Sequence, residues 1–256
     1  MKIINLISGP RNLSTALMYS FSRRPDTKVI DEPFYAHYLE TTGIEHPGRE
    51  DTLNSMSSDI TEVLESIYET SGCEVLFLKN MAHHHQQMDL EFLHKMTNLF
   101  LVRNPKQLIA SFAQVINSPT MQDIGLKKSW ELFNKIENKN PVVLDSAEIL
   151  KNPKILLSKL CDKLEIPFYE EMLSWPAGGI KEDGAWAEYW YKNVHNSTGF
   201  TKQKTSSREL PKHCESLYLE AVKYYDKLKI KIGHGETVSG GQNLKNVSIF
   251  IDKILK

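Results

Sequence analysis

Long apolar runs are missing from this 256-residue chain, and none approaches the roughly 20 residues that cross a bilayer. A membrane-spanning role is therefore not expected. A secretory leader is missing too: residues 1–8 run into an apolar strand with no basic start and no small-residue cleavage site, which predicts a cytoplasmic protein. Cysteine is scarce. Cys73, Cys161 and Cys214 are odd in number and lack the spacing of metal ligands, so they predict free thiols in a reducing compartment and no metal centre. In such a compartment the sequons at Asn12, Asn196 and Asn246 have no reason to carry sugar. Charge of one sign is absent as well, 31 basic residues standing against 32 acidic ones. A net charge of -1 makes no field suited to nucleic acid or an anionic membrane, although a local basic cluster can still hold a small polyanion. Internal repeats and low-complexity tracts are also lacking.

What is present is the pattern of a large α/β domain. Hydrophobic residues make up 41% and charged residues 25%, the balance of an ordinary globular chain. Short apolar runs at 3–8, 28–31, 75–79, 99–103 and 142–145 read as strands buried on both faces. Amphipathic stretches at 13–24, 51–70, 90–96, 105–116, 129–138 and 153–164 read as helices. Alternation of this kind predicts a parallel sheet with right-handed crossovers. Residues 175–205 change character, being rich in Gly, Trp and Tyr with weak periodicity, and read as a long loop that either serves function or covers core. Residues 208–228 read as a helix. The expected division is one domain over 1–232, then a linker and a docked C-terminal helix over 233–256.

The turn after the first strand, Ser8-Gly-Pro-Arg11-Asn12-Leu13-Ser14-Thr15, opens a helix whose free N–H groups and positive dipole end suit a phosphate. Arg11 adds a guanidinium fork, and Ser14 and Thr15 add hydroxyls. The plainer alternative is a capped helix start in which Asn12 or Ser14 satisfies the backbone. A Walker match begun at Gly9 needs Lys at 15 and a hydroxyl at 16, where the chain has Thr15 and Ala16. An ATP or GTP hydrolase would lack its main charge-stabilising groups.

This turn resembles that of the sulfotransferase superfamily, whose members bind 3′-phosphoadenosine 5′-phosphosulfate (PAPS) with a basic residue and two hydroxyls after the first strand. The resemblance implies nucleotide contacts from Arg11, Asn12, Leu13, Ser14 and Thr15, although many members have Gly where Leu13 stands, which predicts an altered backbone path. A second likeness lies in Leu99-Phe-Leu-Val-Arg103-Asn-Pro, with Ser111 about two turns into the next helix. In the family the matching Arg and Ser hold the 3′-phosphate; the alternative is a strand-end arginine paired with a surface carboxylate. Asp145 and Glu148, followed by Pro153, resemble a family strand–turn–helix and support the fold. A late Gly- and Lys-containing loop closes over the nucleotide in relatives, which implies roles for Ser197, Gly199, Lys202 and Lys204.

Sulfuryl transfer needs a proton acceptor for the incoming hydroxyl and positive charge at the leaving oxygen. Asp31-Glu32-Pro-Phe-Tyr35-Ala-His37-Tyr38 resembles the Glu-Pro segment of carbohydrate sulfotransferases, with Glu32 as base; otherwise its acids cap a turn and its aromatics are core. Lys79-Asn-Met-Ala-His83-His84-His85 resembles the region where cytosolic sulfotransferases carry Lys and a catalytic His, with Lys79 at the leaving oxygen and His83 or His84 as base. Exposed histidines are the alternative there, and the spacing is not that of a helical zinc site. Together with His46-Pro-Gly-Arg-Glu50, these segments resemble a bacterial sulfotransferase-like subgroup. The resemblance implies a P-loop-type three-layer sandwich, a PAPS donor, a small-molecule acceptor with a hydroxyl or amine, and no metal. A P-loop kinase or hydrolase and a non-catalytic nucleotide-binding module remain as alternatives.

Overall fold

The computed structural model describes residues 1–201 and 208–232, so the linker and tail expected over 233–256, and Lys202 and Lys204, lie outside the described residues. Five parallel strands form one sheet in the order β2-β3-β1-β4-β5. They are β1 (Lys2–Ser8), β2 (Thr27–Asp31), β3 (Val75–Met81), β4 (Thr97–Val102) and β5 (Val142–Asp145). Side chains alternate between the faces of a strand. On β1, β3 and β4, Ile7, Leu76, Leu78, Phe100 and Val102 join one core. Ile4, Leu6, Val75, Phe77, Leu99 and Leu101 join a second core on the opposite face. Two cores on two faces are why these strands read as unbroken apolar runs.

The helices in chain order are α1 (Ser14–Ser22), α2 (Tyr35–Thr42), α3 (Arg49–Ser55), α4 (Ile60–Glu69), α5 (Pro105–Phe112), α6 (Met121–Ile124), α7 (Leu126–Ile136), α8 (Ser146–Lys151), α9 (Pro153–Lys163), α10 (Ala187–Trp190), α11 (Lys192–His195) and α12 (Glu215–Ile230). Helices α1 and α9 cover the second core, and α4, α5, α7 and α12 cover the first, completing three layers. The α/β sandwich expected from the alternation is the architecture found.

Several boundaries differ for local reasons. The helix expected over 51–70 is two, because Met56 is extended and Asp59 starts a fresh helix by accepting from the N–H groups of Thr61 and Glu62. The stretch 90–96 is a 3₁₀ turn, Glu91–Lys95. The helix expected over 208–228 begins at Glu215, after Pro211 and a 3₁₀ turn at Lys212–Cys214. Helix α2 was not expected, since its residues read as a site segment. The loop expected over 175–205 holds two single-turn helices, α10 and α11.

Three buried asparagines tie the central strands together. Asn80 Nδ2 donates to Asn5 Oδ1 (2.8 Å), and Asn5 Nδ2 donates to Asn98 Oδ1 (3.0 Å). Asn98 Nδ2 then donates to the carbonyls of Leu93 and Met96. Buried amides need such partners, so the chain of bonds favours one register of β3, β1 and β4. Strands β2 and β3 fill one side of β1, and β4 and β5 the other. The order therefore reverses between β1 and β4, where open α/β sheets hold ligands at their carboxyl ends.

Candidate functional site

Two clusters stand at that carboxyl edge. The first gathers around the turn after β1. Gly9 has no room for a side chain, because a Cβ there would lie 2.2 Å from the Ile124 carbonyl oxygen. Arg11 (φ 61°) and Leu13 (φ 68°) both take left-handed backbone conformations. Leu13 adopts the conformation glycine takes freely, at a cost of roughly 1 kcal/mol for an L-residue. No side chain caps the N-terminus of α1, so the capped-helix alternative is not the arrangement observed and the end retains its donor capacity. Ser14 is buried and Thr15 half-buried in that first turn. Asn12 faces the core instead, donating through Nδ2 to the Leu101 carbonyl (3.1 Å).

The guanidinium groups converge beside this turn. Arg11 Nε donates to Ser111 Oγ at 3.2 Å, and Arg103 donates to the Arg11 carbonyl at 2.7 Å. Ser111 reaches the turn because Asn104 caps α5 and Pro105 begins it. Burial pulls both arginines below their usual values. Positive neighbours add to this: Arg208 acts on both, and Arg11 acts on Arg103. Among the described residues, no carboxylate lies within salt-bridge distance of Arg11 or Arg103. The strand-end ion pair weighed for Arg103 is therefore not formed. Gly199 stands apart from this group, bridged to Ser174 with room for no Cβ against the Leu173 carbonyl.

The second cluster lies where β2 and β3 end. Glu32 has φ 40°, a strained value for a non-glycine residue, and its N–H donates to the Lys79 carbonyl at 2.7 Å. Lys79 is wholly buried. Its ammonium donates to Glu32 Oε1, to Asp31 Oδ1 (3.1 Å) and to Tyr191 Oη (2.6 Å), using all three protons. Tyr191 Oη also accepts from Trp186 Nε1 (3.0 Å) and donates to Asp31 Oδ2 (2.7 Å), which fills its capacity. Asp31 Oδ2 further receives the Gly184 N–H (3.3 Å). One carboxylate oxygen of the four is left over. Glu32 Oε2 faces His84 Nδ1 at 3.7 Å, too far for a hydrogen bond.

Burial pulls Lys79 down, but Asp31 and Glu32 more than reverse this, and the ammonium ends above its ordinary value. Burial pushes both carboxyls up, and Lys79 offsets only part of the rise. Burial acts oppositely on the histidines: His83 is pulled down to about 3, His85 to about 4 and His84 well below its usual value. All three are buried, so the exposed-histidine alternative is not the arrangement found, and burial lowers the basicity of each ring. Tyr35 stacks on His84 with ring centroids 4.5 Å apart, and its hydroxyl meets His46 Nδ1 at 2.9 Å. His46 is thus placed by the motif at 46–50, where Gly48 makes room for the Tyr189 ring. Among the described residues, no group of three or more His, Cys, Asp or Glu side chains is placed to hold a metal ion.

A family model for the sulfotransferase domain matches residues 1–232. The chain belongs to that family. Two Arabidopsis thaliana proteins described as branched-chain-amino-acid aminotransferase-like proteins 1 and 2 are 35% and 33% identical over 241 and 238 residues. These matches take in 93% and 91% of this chain but 43% and 42% of the plant proteins, so the chain spans less than half of those relatives. Among solved structures, the sulfotransferase domain of the Synechococcus PCC 7002 olefin synthase aligns with TM-score 0.56 at 15% identity, over 88% of this chain and 94% of that domain. A sulfotransferase from Alicyclobacillus acidocaldarius aligns with TM-score 0.50 at 11% identity, over 91% and 96%. These likenesses establish a shared fold.

Within this sulfotransferase fold, sequence reasoning found Glu32 and Lys79 but missed three of their neighbours. Asp31 had been read only as a possible turn cap, whereas Tyr191 and Trp186 had no motif to mark them. The Gly-, Trp- and Tyr-rich composition of 175–205 was the only signal for the last two. Arg208 carries no motif either, since in the sequence it reads as the first residue of a helix over 208–228.

Proposed function

We propose that this family member is a PAPS-dependent sulfotransferase acting on a hydroxyl or amine of a small molecule. The observation that carries the reading is the pair of half-buried, carboxylate-free guanidinium groups at Arg11 and Arg103. Two such cations held together favour an anion between them, and a bidentate phosphate contact suits their fork geometry. Arg11, Arg103, Ser111 and Arg208 are assigned to the 3′-phosphate. The N-terminus of α1, with Ser14 and Thr15, is assigned to the phosphosulfate end. Gly199 and Lys202 are assigned to closure over the nucleotide, on the family resemblance alone. The three cysteines have no disulfide, which supports a cytoplasmic setting.

On the acceptor side, Glu32 Oε2 takes the proton as the acceptor oxygen or nitrogen bonds to sulfur. The bond between sulfur and the bridging oxygen breaks, and its electron pair leaves with the 5′-phosphate. Lys79 holds the carboxylates, so the α1 amides, with Ser14 and Thr15, stabilise the leaving oxygen.

Calorimetric titration of the full chain with adenosine 3′,5′-bisphosphate tests the reading. Binding is expected, weakened at least tenfold in Arg103→Ala. If the native protein binds neither this nucleotide nor PAPS, the proposal fails; Mg²⁺-dependent hydrolysis of ATP would favour the kinase or hydrolase alternative.

A further inference from the structure

The segment that covers the second cluster also completes it. Its neck is closed by the Ser174–Gly199 bridge, by the Trp175 N–H on the Thr198 carbonyl (3.1 Å) and by the Gly178 N–H on the His195 carbonyl (2.7 Å). Its near limb is fastened to α1, where Tyr19 Oη donates to Asp183 Oδ2 at 2.5 Å. His195 Nε2 meets the same carboxylate oxygen at 3.0 Å. The next residue, Gly184, bonds Asp31, and Trp186 and Tyr191 close on Lys79. Tyr191 and Asp31 are 160 positions apart in sequence.

We infer that Tyr191, backed by Trp186, is a positioning residue that commits Asp31 and Lys79 to one another and so leaves Glu32 Oε2 as the free proton-accepting oxygen. The hydroxyl has one proton, and Asp31 at 2.7 Å is a better acceptor for it than Glu32 Oε1 at 3.2 Å. A hydrogen bond donated to a carboxylate favours its ionised form. Tyr191 thereby opposes the burial that raises Asp31, and the more Asp31 is charged the stronger a base Glu32 becomes beside it. Phenylalanine at 191 would remove the donor to Asp31 and an acceptor from Lys79. Proton uptake would move to Asp31, and Glu32 would lose the neighbour that strengthens it.

The titratable groups facing this pair come from six elements. Asp31 and Glu32 stand at the end of β2, Lys79 on β3, His83 and His84 in the turn after β3, Tyr35 on α2, Tyr19 on α1 and Tyr191 between α10 and α11. Tyr19 and Tyr35 stay protonated, raised by burial, and His83 and His84 stay neutral, lowered by burial. The carboxyl pair is thus the group whose proton count changes.

The role of Tyr191 rests on the reading of Glu32 as the base, and the two are tested separately. Carboxyl-¹³C-labelled full-length protein is titrated by NMR, with Asp31 and Glu32 assigned from the signals lost in Asp31→Asn and Glu32→Gln. In Tyr191→Phe the Asp31 signal is expected to titrate about one pH unit higher. Trp186→Phe, which weakens the same hydroxyl, is expected to give a smaller shift of the same sign. It also supplies the decision if Tyr191→Phe does not fold. Unmoved titrations in a folded variant overturn the positioning role. PAPS turnover by Glu32→Gln, measured across an acceptor panel, reads the base independently. Retained turnover with a shifted Asp31 would remove Glu32 as base and leave the Tyr191–Asp31 coupling standing.

Discussion

The two clusters at the sheet edge handle charge in opposite ways. Around Arg11 and Arg103, positive charge accumulates and no carboxylate pairs with it directly, Asp145 acting on Arg103 only from a distance; around Lys79, one ammonium is met by two carboxylates and a phenol. The first arrangement raises the energy of the ligand-free protein and is relieved by an anion. The second is closed on itself, and removing one member leaves the others stranded in a dry site. Uncompensated charge therefore marks the place where a ligand is drawn in. Compensated charge marks where the protein prepares its own reacting group.

The contrast makes graded predictions. Lys79→Met should have the largest effect on stability, about 3–5 kcal/mol, because two buried carboxyls lose their cation. Chemical denaturation reads the loss, and Asp31→Asn with Glu32→Gln in the same chain should restore much of it. Arg11→Ala and Arg103→Ala should behave in reverse. Each is expected to weaken bisphosphate binding about 10- to 100-fold while leaving the melting temperature unchanged or raised, because a like-charge contact is removed. If both arginine variants melt early, the cluster is structural and the comparison fails.

The buried histidines provide a smaller, pH-dependent effect. His83 has a folded value of about 3, below the ordinary unfolded value of roughly 6.5. As pH falls, the unfolded chain takes up this proton first, so His83 subtracts about 1.4 kcal/mol of stability per pH unit through that window. His83→Gln should make the acid-side slope shallower by that amount, measured by urea unfolding between pH 6.5 and 4. The smallest effect belongs to Leu13→Gly, where relief of backbone strain opposes the greater freedom of the unfolded chain. The net change should stay within about 1 kcal/mol, with nucleotide affinity kept.

The first cluster was legible because its residues follow strand ends directly. Arg11 comes three positions after Ser8, Arg103 ends its apolar run, and Ser111 shares a helix with Pro105. Local pattern was enough to bring them together. The second was half legible: Glu32 and Lys79 also end strands, but their state depends on Tyr191, whose position follows from packing between distant segments. The burial of the histidine run was not legible for the same reason: the packing of these rings against Tyr35 and Tyr38 joins separate segments. Helix ends were missed where side chains override periodicity, as at Asp59.

The late arrival of the segment holding Gly184, Trp186 and Tyr191 has a consequence for how the protein is made. Synthesis proceeds from the N-terminus, so the five described strands and the arginine turn leave the ribosome before these residues do. During that interval the nascent sheet holds a lysine and two acids that lack their phenol and indole partners. Water must solvate them until the last limb docks. The arginine cluster meets no such delay, because the contacts joining Arg11, Arg103 and Ser111 lie within the first 111 residues. A nascent chain halted before residue 184 should thus already hold Arg11, Arg103 and Ser111 together, lacking only Arg208 and residues 199–202 of the nucleotide site, while its carboxylate pair remains open to solvent.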